Sequence, residues 1–308
     1  MDRPLTITVL GRGAWGSALV SLWHERGHQL RCWSRRDGGS PLPLLAGSDL
    51  VVAAVSMAAL DVLSRQLAPP WPAGVPLLSC SKGITASGLR TASQIWCDQR
   101  PDLSVAVLSG PNLAAELVAG LPAASVIASA DGDLASRLQR SLAAPCLRLY
   151  TNDDPIGTET AAALKNVIAI AAGFSDGLGL CANARASLLC RGLAEMGVVL
   201  TALGGRMATL YGLAGLGDLL ATATSALSRN YRFGQLLAAG HGAEAAIGSI
   251  GATVEGPGTA RAALALAERE RFDLPICTQV VEIMEGRRSA RSAVEALMSR
   301  GFRPESMP

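Results

Sequence analysis

Of the 27 basic residues in this 308-residue chain only two are lysine, Lys82 and Lys165. The distinction matters chemically. Arginine keeps its proton in a protein, whereas a desolvated lysine can lose one near neutral pH. Lys165 lies in AAALKNVIAIAAG (161–173), an otherwise apolar helical stretch. An ammonium there is partly desolvated, which lowers its pKa towards the range of a general base. Asn166 beside it offers an amide for a hydroxyl or a phosphate. The same position also suits a lysine that snorkels from a helix seam, and GC-rich coding alone would thin the lysines. Lys82 sits in SCSKG (79–83), just past an apolar run, where ligands bind in open α/β sheets. The three histidines, His24, His28 and His241, fall in no motif, so the proton carrier is sought among the lysines.

A second chemical signal opens the chain. Gly11-Arg12-Gly13-Ala14-Trp15-Gly16 follows an apolar β-rich run and begins a helical one. GxGxxG in that setting makes a tight turn, lets backbone approach a pyrophosphate and aims a helix amino terminus at it. Gly11, Gly13, Ala14, Trp15 and Gly16 are the expected cofactor contacts. The bland alternative is a strand–helix turn that binds nothing. No acid ends the next strand to hold a ribose 2′-hydroxyl. The segment reads Cys32-Trp33-Ser34-Arg35-Arg36, and two guanidinium groups suit a 2′-phosphate. NADP(H) is therefore favoured, with NAD(H) possible, unless Arg35 and Arg36 are only a solvated loop pair.

These groups need elements to hold them. Strands are expected at 5–10, 29–34, 49–55, 75–79, 104–108, 123–129 and 146–150, with helices at 14–26, 57–68, 87–99 and 131–143. Such alternation predicts a doubly wound, mainly parallel sheet of Rossmann type. At TNDDP (151–155) the texture changes. Helical segments then follow at 155–174, 185–203, 230–239 and 258–271. The fold class is α/β, with an N-terminal Rossmann-like dinucleotide-binding domain over residues 1–152. An all-α substrate and catalytic domain is expected over 153–308.

Composition narrows the function. With 49% hydrophobic and 17% charged residues the chain reads as a packed enzyme. A net charge of +2 is too small for a nucleic-acid footprint or a polybasic membrane surface. The seven cysteines show no CxxC pair or zinc spacing, so neither a disulfide framework nor a metal site is expected. No secretory signal or bilayer-spanning run is recognisable, which points to the cytoplasm.

Several segments in order resemble the NAD(P)-dependent glycerol-3-phosphate dehydrogenase family of bacterial type. They are GRGAWG (11–16), SKG (81–83), SGPN (109–112), ALKNVIAIAAGFSDGL (163–178), GLGDLLATATSALSRN (215–230) and VEG (254–256). The resemblance implies interconversion of sn-glycerol 3-phosphate and dihydroxyacetone phosphate, and a role in phospholipid synthesis. It implies that Lys165 exchanges the C2 hydroxyl proton. Lys82, Gly110 and Asn112 would line the substrate, and Lys82 and Ala114 would approach the cofactor. Asp218 and Thr222 would support Lys165 and the substrate. Ser228, Arg229 and Asn230 would hold the phosphate, Arg229 would also reach the cofactor, and Glu255 would contact the nicotinamide end. Two departures stand out. The connector DGGSPLPLLAGS (37–48) is shorter than the family's usual insert, and Asn112 replaces a Ser or Thr. A homodimer is compatible with this reading. So are a related two-domain hydroxy-acid or ketopantoate-type reductase and a non-catalytic NADPH sensor.

Overall fold

The computed structural model describes residues 3–86, 88–301 and 304. Ser87, where the third expected helix begins, and the extreme ends of both expected domains lie outside the described residues.

Among the described residues seven strands form one sheet: β1 Thr6–Leu10, β2 Gln29–Trp33, β3 Leu50–Ala53, β4 Leu77–Ser79, β5 Val105–Ser109, β6 Ala123–Ala128 and β7 Leu147–Asn152, in the order β2-β1-β3-β4-β5-β6-β7. Pairing is parallel from β2 to β5, antiparallel between β5 and β6, and parallel again between β6 and β7. The interior strands β3 and β4 are buried at every residue, as expected of parallel strands covered on both faces. Their alternation divides two cores. Leu50 and Val52 join Leu19 and Trp23 of helix α1 (Ala14–Glu25). Val51 and Ala53 join Leu60 and Leu63 of α3 (Met57–Leu67) and Trp96 of α4 (Ala92–Gln99). Between α1 and α3 lies a one-turn helix, α2 (Leu42–Leu45); α5 (Ala114–Val118) and α6 (Gly132–Leu142) complete this half.

The third expected helix is shorter than the reading of 87–99. It starts at Ala92 because Thr91 and Gln94 form a reciprocal capping box, in which the Thr91 amide donates to Gln94 Oε1 at 3.0 Å.

The second half is helical: α7 Pro155–Gly177, α8 Ala182–Ala202, α9 Met207–Leu210, α10 Asp218–Ala223, α11 Arg229–Ala238, α12 Ala243–Ile250, α13 Gly256–Glu270, α14 Pro275–Met284 and α15 Ala290–Met298. A π-turn at Leu213–Gly217 leads into α10. Helix α7 is buried without interruption from Gly157 to Ser175, and a helix buried on all sides is the axis about which others pack. Two glycines set its closest neighbour. A Cβ on Gly173 would overlap the Tyr231 carbonyl oxygen, and one on Gly234 would overlap that of Ile170. Helices α7 and α11 therefore touch backbone to backbone, which draws residues 228–230 towards Asn166.

Two buried acids tie α7 in place. Asp154 accepts from Gly157 N at 2.8 Å, Arg206 N at 2.8 Å and Thr209 Oγ1 at 2.7 Å. Glu159 accepts from Ser93 N at 2.8 Å and Ser93 Oγ at 2.5 Å, at the amino end of α4. The helix that carries Lys165 is thus bonded to the sheet half. Among the described residues no helix is long and apolar enough to cross a membrane.

Candidate active site

The cofactor end is built by close approach. Gly11 has φ +105°, and a Cβ there would overlap the Ala54 carbonyl oxygen; one on Gly16 would overlap that of Gly11. The first turn of α1 is thereby drawn against the ends of β1 and β3. Gly13 differs, since an added Cβ would meet nothing within 4 Å. It caps α1 without a side-chain hydrogen bond, and the first turn holds no acid. Free N–H donors at a helix amino terminus facing open space fit a pyrophosphate. Ala14 and Trp15 follow directly. Trp15, Asn112, Leu113 and Ala221 line a cavity of about 180 Å³, where this loop meets α10.

Arg35 and Arg36 are exposed, and their side chains make no hydrogen bond among the described residues. An acid not singled out from the sequence lies beside them. Asp37 accepts from Ser34 N at 3.0 Å and Ser34 Oγ at 2.9 Å, and approaches Arg12 at 3.7 Å. The short connector is firmly held. Leu45 is buried, Thr8 Oγ1 donates to Leu44 O at 2.8 Å, and Trp33 Nε1 donates to Gly38 O at 3.2 Å.

The chemical centre lies where β4 and β5 end against α7 and α10. Lys165 Nζ donates to Asp218 Oδ1 at 2.6 Å and to Thr222 Oγ1 at 2.7 Å. Lys82 Nζ donates to the other Asp218 oxygen at 2.7 Å and to Gly110 O at 3.3 Å. Spacing i,i+4 on α10 puts Asp218 and Thr222 on one face, and Thr222 Oγ1 also lies 3.2 Å from Asp218 Oδ1. Lys165 is 6% exposed and Asp218 1%. Burial pushes the Lys165 ammonium down to about 7; the Asp218 carboxylate opposes that fall, and the Lys82 charge adds to it. Two ammonium groups share one carboxylate, so releasing the Lys165 proton removes an unbalanced buried charge. Desolvation and a like charge are two of the ordinary ways of tuning an amine to neutral pH.

Around this centre lie polar groups of the second half. Asn230 Nδ2 donates to Asn166 Oδ1 at 2.9 Å, and Gly256 N donates to Asn230 Oδ1 at 3.0 Å. Ser228 caps α11 by accepting from Tyr231 N at 3.2 Å, which leaves its hydroxyl proton free to donate. Arg229 is exposed at the first position of α11. Glu255 Oε1 accepts from Met57 N at 3.3 Å; burial raises its carboxyl, against the nearby Arg229. Asn112 Oδ1 accepts from Ser125 Oγ at 2.5 Å, while Asn112 Nδ2 is buried without a partner among the described residues. An unanswered amide donor beside Gly110 fits an oxygen-rich ligand. Ala114 opens α5 below that loop.

The structure therefore brings Lys82, Gly110, Lys165, Asp218 and Thr222 into one bonded group, and Asn166 and Asn230 into another. Arg35 and Arg36 stand apart. Three inter-strand steps separate β2 from β4, about 14 Å. That separation suits the opposite ends of a dinucleotide. Among the described residues no cluster of three His, Cys, Asp or Glu is placed to hold a metal ion, and all seven cysteines are free.

Comparison with known proteins agrees with this layout. Residues 6–40 and 43–135 match the NAD-dependent glycerol-3-phosphate dehydrogenase N-terminus profile, and residues 154–295 match the corresponding C-terminus profile. The chain belongs to that family. A glycerol-3-phosphate dehydrogenase [NAD(P)+] of Synechococcus sp. (strain RCC307) is 51% identical over 98% of this chain and 99% of its own length. Another, from Synechococcus elongatus, is 47% identical over 99% of each. The solved glycerol-3-phosphate dehydrogenase of Coxiella burnetii superposes with a TM-score of 0.92 at 33% identity, covering 96% of this chain and 99% of that one.

Proposed function

We propose that this chain is an NAD(P)-dependent oxidoreductase that interconverts sn-glycerol 3-phosphate and dihydroxyacetone phosphate at C2, supplying glycerol 3-phosphate for phospholipid synthesis. The observation that carries the reading is Lys165, a buried amine that shares the Asp218 carboxylate with Lys82.

When bound, the nicotinamide supplies or takes the hydride. Everything else falls to the protein. In reduction, Lys165 as an ammonium gives its proton to the C2 oxygen while negative charge develops there; in oxidation, Lys165 as an amine removes the hydroxyl proton. A pKa of about 7 keeps both forms populated at neutral pH. Asp218 and Thr222 aim the amine, and Lys82 keeps the local potential positive towards an oxyanion. Ser228, Arg229 and Asn230, with Asn166, would hold the phosphate, whose remote binding energy orients C2. Gly110 and Asn112 would bound the substrate from the sheet side. Gly11, Gly13, Ala14, Trp15, Gly16 and Ala114 would cradle the cofactor, with Lys82, Arg229 and Glu255 towards its nicotinamide end.

NADP(H) is the proposed preferred coenzyme because Arg35 and Arg36 present guanidinium groups with no partner among the described residues just past the end of β2. We take residues 1–152 as the dinucleotide-binding domain and 153–308 as the catalytic one, acting in the cytoplasm as a homodimer on small molecules, with no nucleic-acid partner and no membrane insertion.

The test is a substrate panel followed at the nicotinamide absorbance. Dihydroxyacetone phosphate is expected to be reduced with NADPH and more weakly with NADH, while phosphate-free ketones and hydroxy-acid precursors are inert. Faster turnover of a phosphate-free substrate would indicate a related reductase. No decay at high protein concentration would indicate a sensor.

A further inference from the structure

Beyond Lys165, helices α7 and α8 form one wall of a second cavity, of about 710 Å³, and α14 and α15 the other. Ser175 lies ten residues further along α7 than Lys165, about 15 Å. None of the groups assigned above to hydride transfer, phosphate or cofactor lines this space. A volume of this size takes one small ligand.

The walls are mostly apolar, with Phe174, Leu188, Val198, Ile276, Val280 and Leu297 prominent. Ser175 and Gln279 interrupt them. Ser175 is only 5% exposed and its Oγ has no hydrogen-bond partner among the described residues; Gln279 Oε1 is likewise buried and unanswered there. Buried polar atoms left unpaired are destabilising unless a ligand or water meets them. Charge divides the cavity along α8. Glu195 is buried, its carboxylate held by the Ile276 N–H at 2.6 Å and the Cys277 N–H at 3.1 Å. One turn nearer the amino end, Arg191 is exposed and forms no ion pair among the described residues. The other rim cation, Arg300, is already paired with Asp273.

We propose that this cavity binds a single-chain anionic lipid, its hydrocarbon chain between α7 and α14 and its acidic head on the Arg191 guanidinium. The Glu195 end disfavours the reverse orientation, since both carboxyl oxygens already accept from the Ile276 and Cys277 amides and an acidic head would meet no free cation there among the described residues. A hydroxyl near the head donates to Gln279 Oε1, and an ester or hydroxyl oxygen accepts from Ser175 Oγ. A volume of about 710 Å³ matches a single chain.

The probes are oleate and 1-oleoylglycerol 3-phosphate, titrated calorimetrically into the full chain below their micelle concentrations, with oleyl alcohol as the uncharged control. Saturable one-to-one binding of an anionic probe is expected, with oleyl alcohol far weaker. Binding of both anions means that the head is read by charge alone; binding of only the glycerophosphate ester means that its oxygens are read too. Arg191→Ala should weaken binding about tenfold, and Val198→Trp should abolish it by filling the cavity. Neither substitution touches the proposed catalytic groups, so dihydroxyacetone phosphate turnover should persist in both and report that they fold. Absence of saturable binding would overturn the proposal, as would binding indifferent to both substitutions. So would a dimer that Val198→Trp converts to monomer, because the cavity would then be a face between copies.

Discussion

Lys165 and Arg36 are both cations of the proposed site, yet their surroundings are opposites. Lys165 is 6% exposed and bonded to a carboxylate and a hydroxyl; Arg36 is exposed and bonded to nothing described. Burial makes the first a titrating group, pushed down to about 7. Exposure suits the second to recognition, because a guanidinium there keeps its charge and can fold around a phosphate. On the proposed function, one protein uses desolvation where a proton must move and solvation where an anion must only be gripped. The contrast implies that substitutions at the buried end act on kcat and those at the exposed end on coenzyme affinity.

The largest effect is expected at the buried end. Lys165→Ala should lower kcat about 10³–10⁴-fold, while NADPH binding, followed by fluorescence titration, stays close to normal. Parallel losses of both would break the contrast. Asp218→Asn should come next, with kcat down about 10²-fold, because it leaves the Lys82 and Lys165 ammonium groups without a shared carboxylate.

Gly234→Ala tests the packing that brings the two groups of residues together. A Cβ there meets the Ile170 carbonyl oxygen, so α7 and α11 must separate. Overpacking of this kind destabilises by about 1–3 kcal/mol, which denaturant unfolding would report, and the KM for dihydroxyacetone phosphate should rise as residues 228–230 move from Asn166. The smallest effect belongs to the exposed end. Arg36→Ala should weaken NADPH about tenfold and leave NADH nearly unchanged. Equal losses for both coenzymes would mean that Arg36 reads something other than a 2′-phosphate.

The same contrast explains how much was legible from sequence. Lys165 stood out because a rare lysine interrupts an apolar run, and that signal is local. The strands were equally local, as β-branched runs ending in small or polar residues. Thr91 and Gln94 carried a readable capping signal, and weighing it would have placed the start of α4 at Ala92. The acids were different. Glu159 bonds Ser93 across 66 positions, and Asp218 meets Lys165 across 53. No spacing rule announces such partners, and Asp218 was reached only through the family resemblance. Glu159 and Asp154 carry no sequence signal either, because a polar residue near a helix start resembles an ordinary exposed cap until the fold buries it. Asp37 is illegible for another reason: it lies a few residues beyond the end of β2, where a ribose-binding acid is not expected.

The central claim is that Lys165 is the group whose protonation gates hydride transfer, and the pH dependence of kcat/KM for glycerol 3-phosphate oxidation tests it most directly. Oxidation needs the neutral amine, so the rate should rise with pH through an inflection near 7, and dihydroxyacetone phosphate reduction should fall through the same region. Asp218 holds the Lys165 pKa up, so the inflection should move to lower pH in Asp218→Asn. A profile that stays flat from acid to alkaline pH, or an inflection that Asp218→Asn leaves in place, would contradict the assignment.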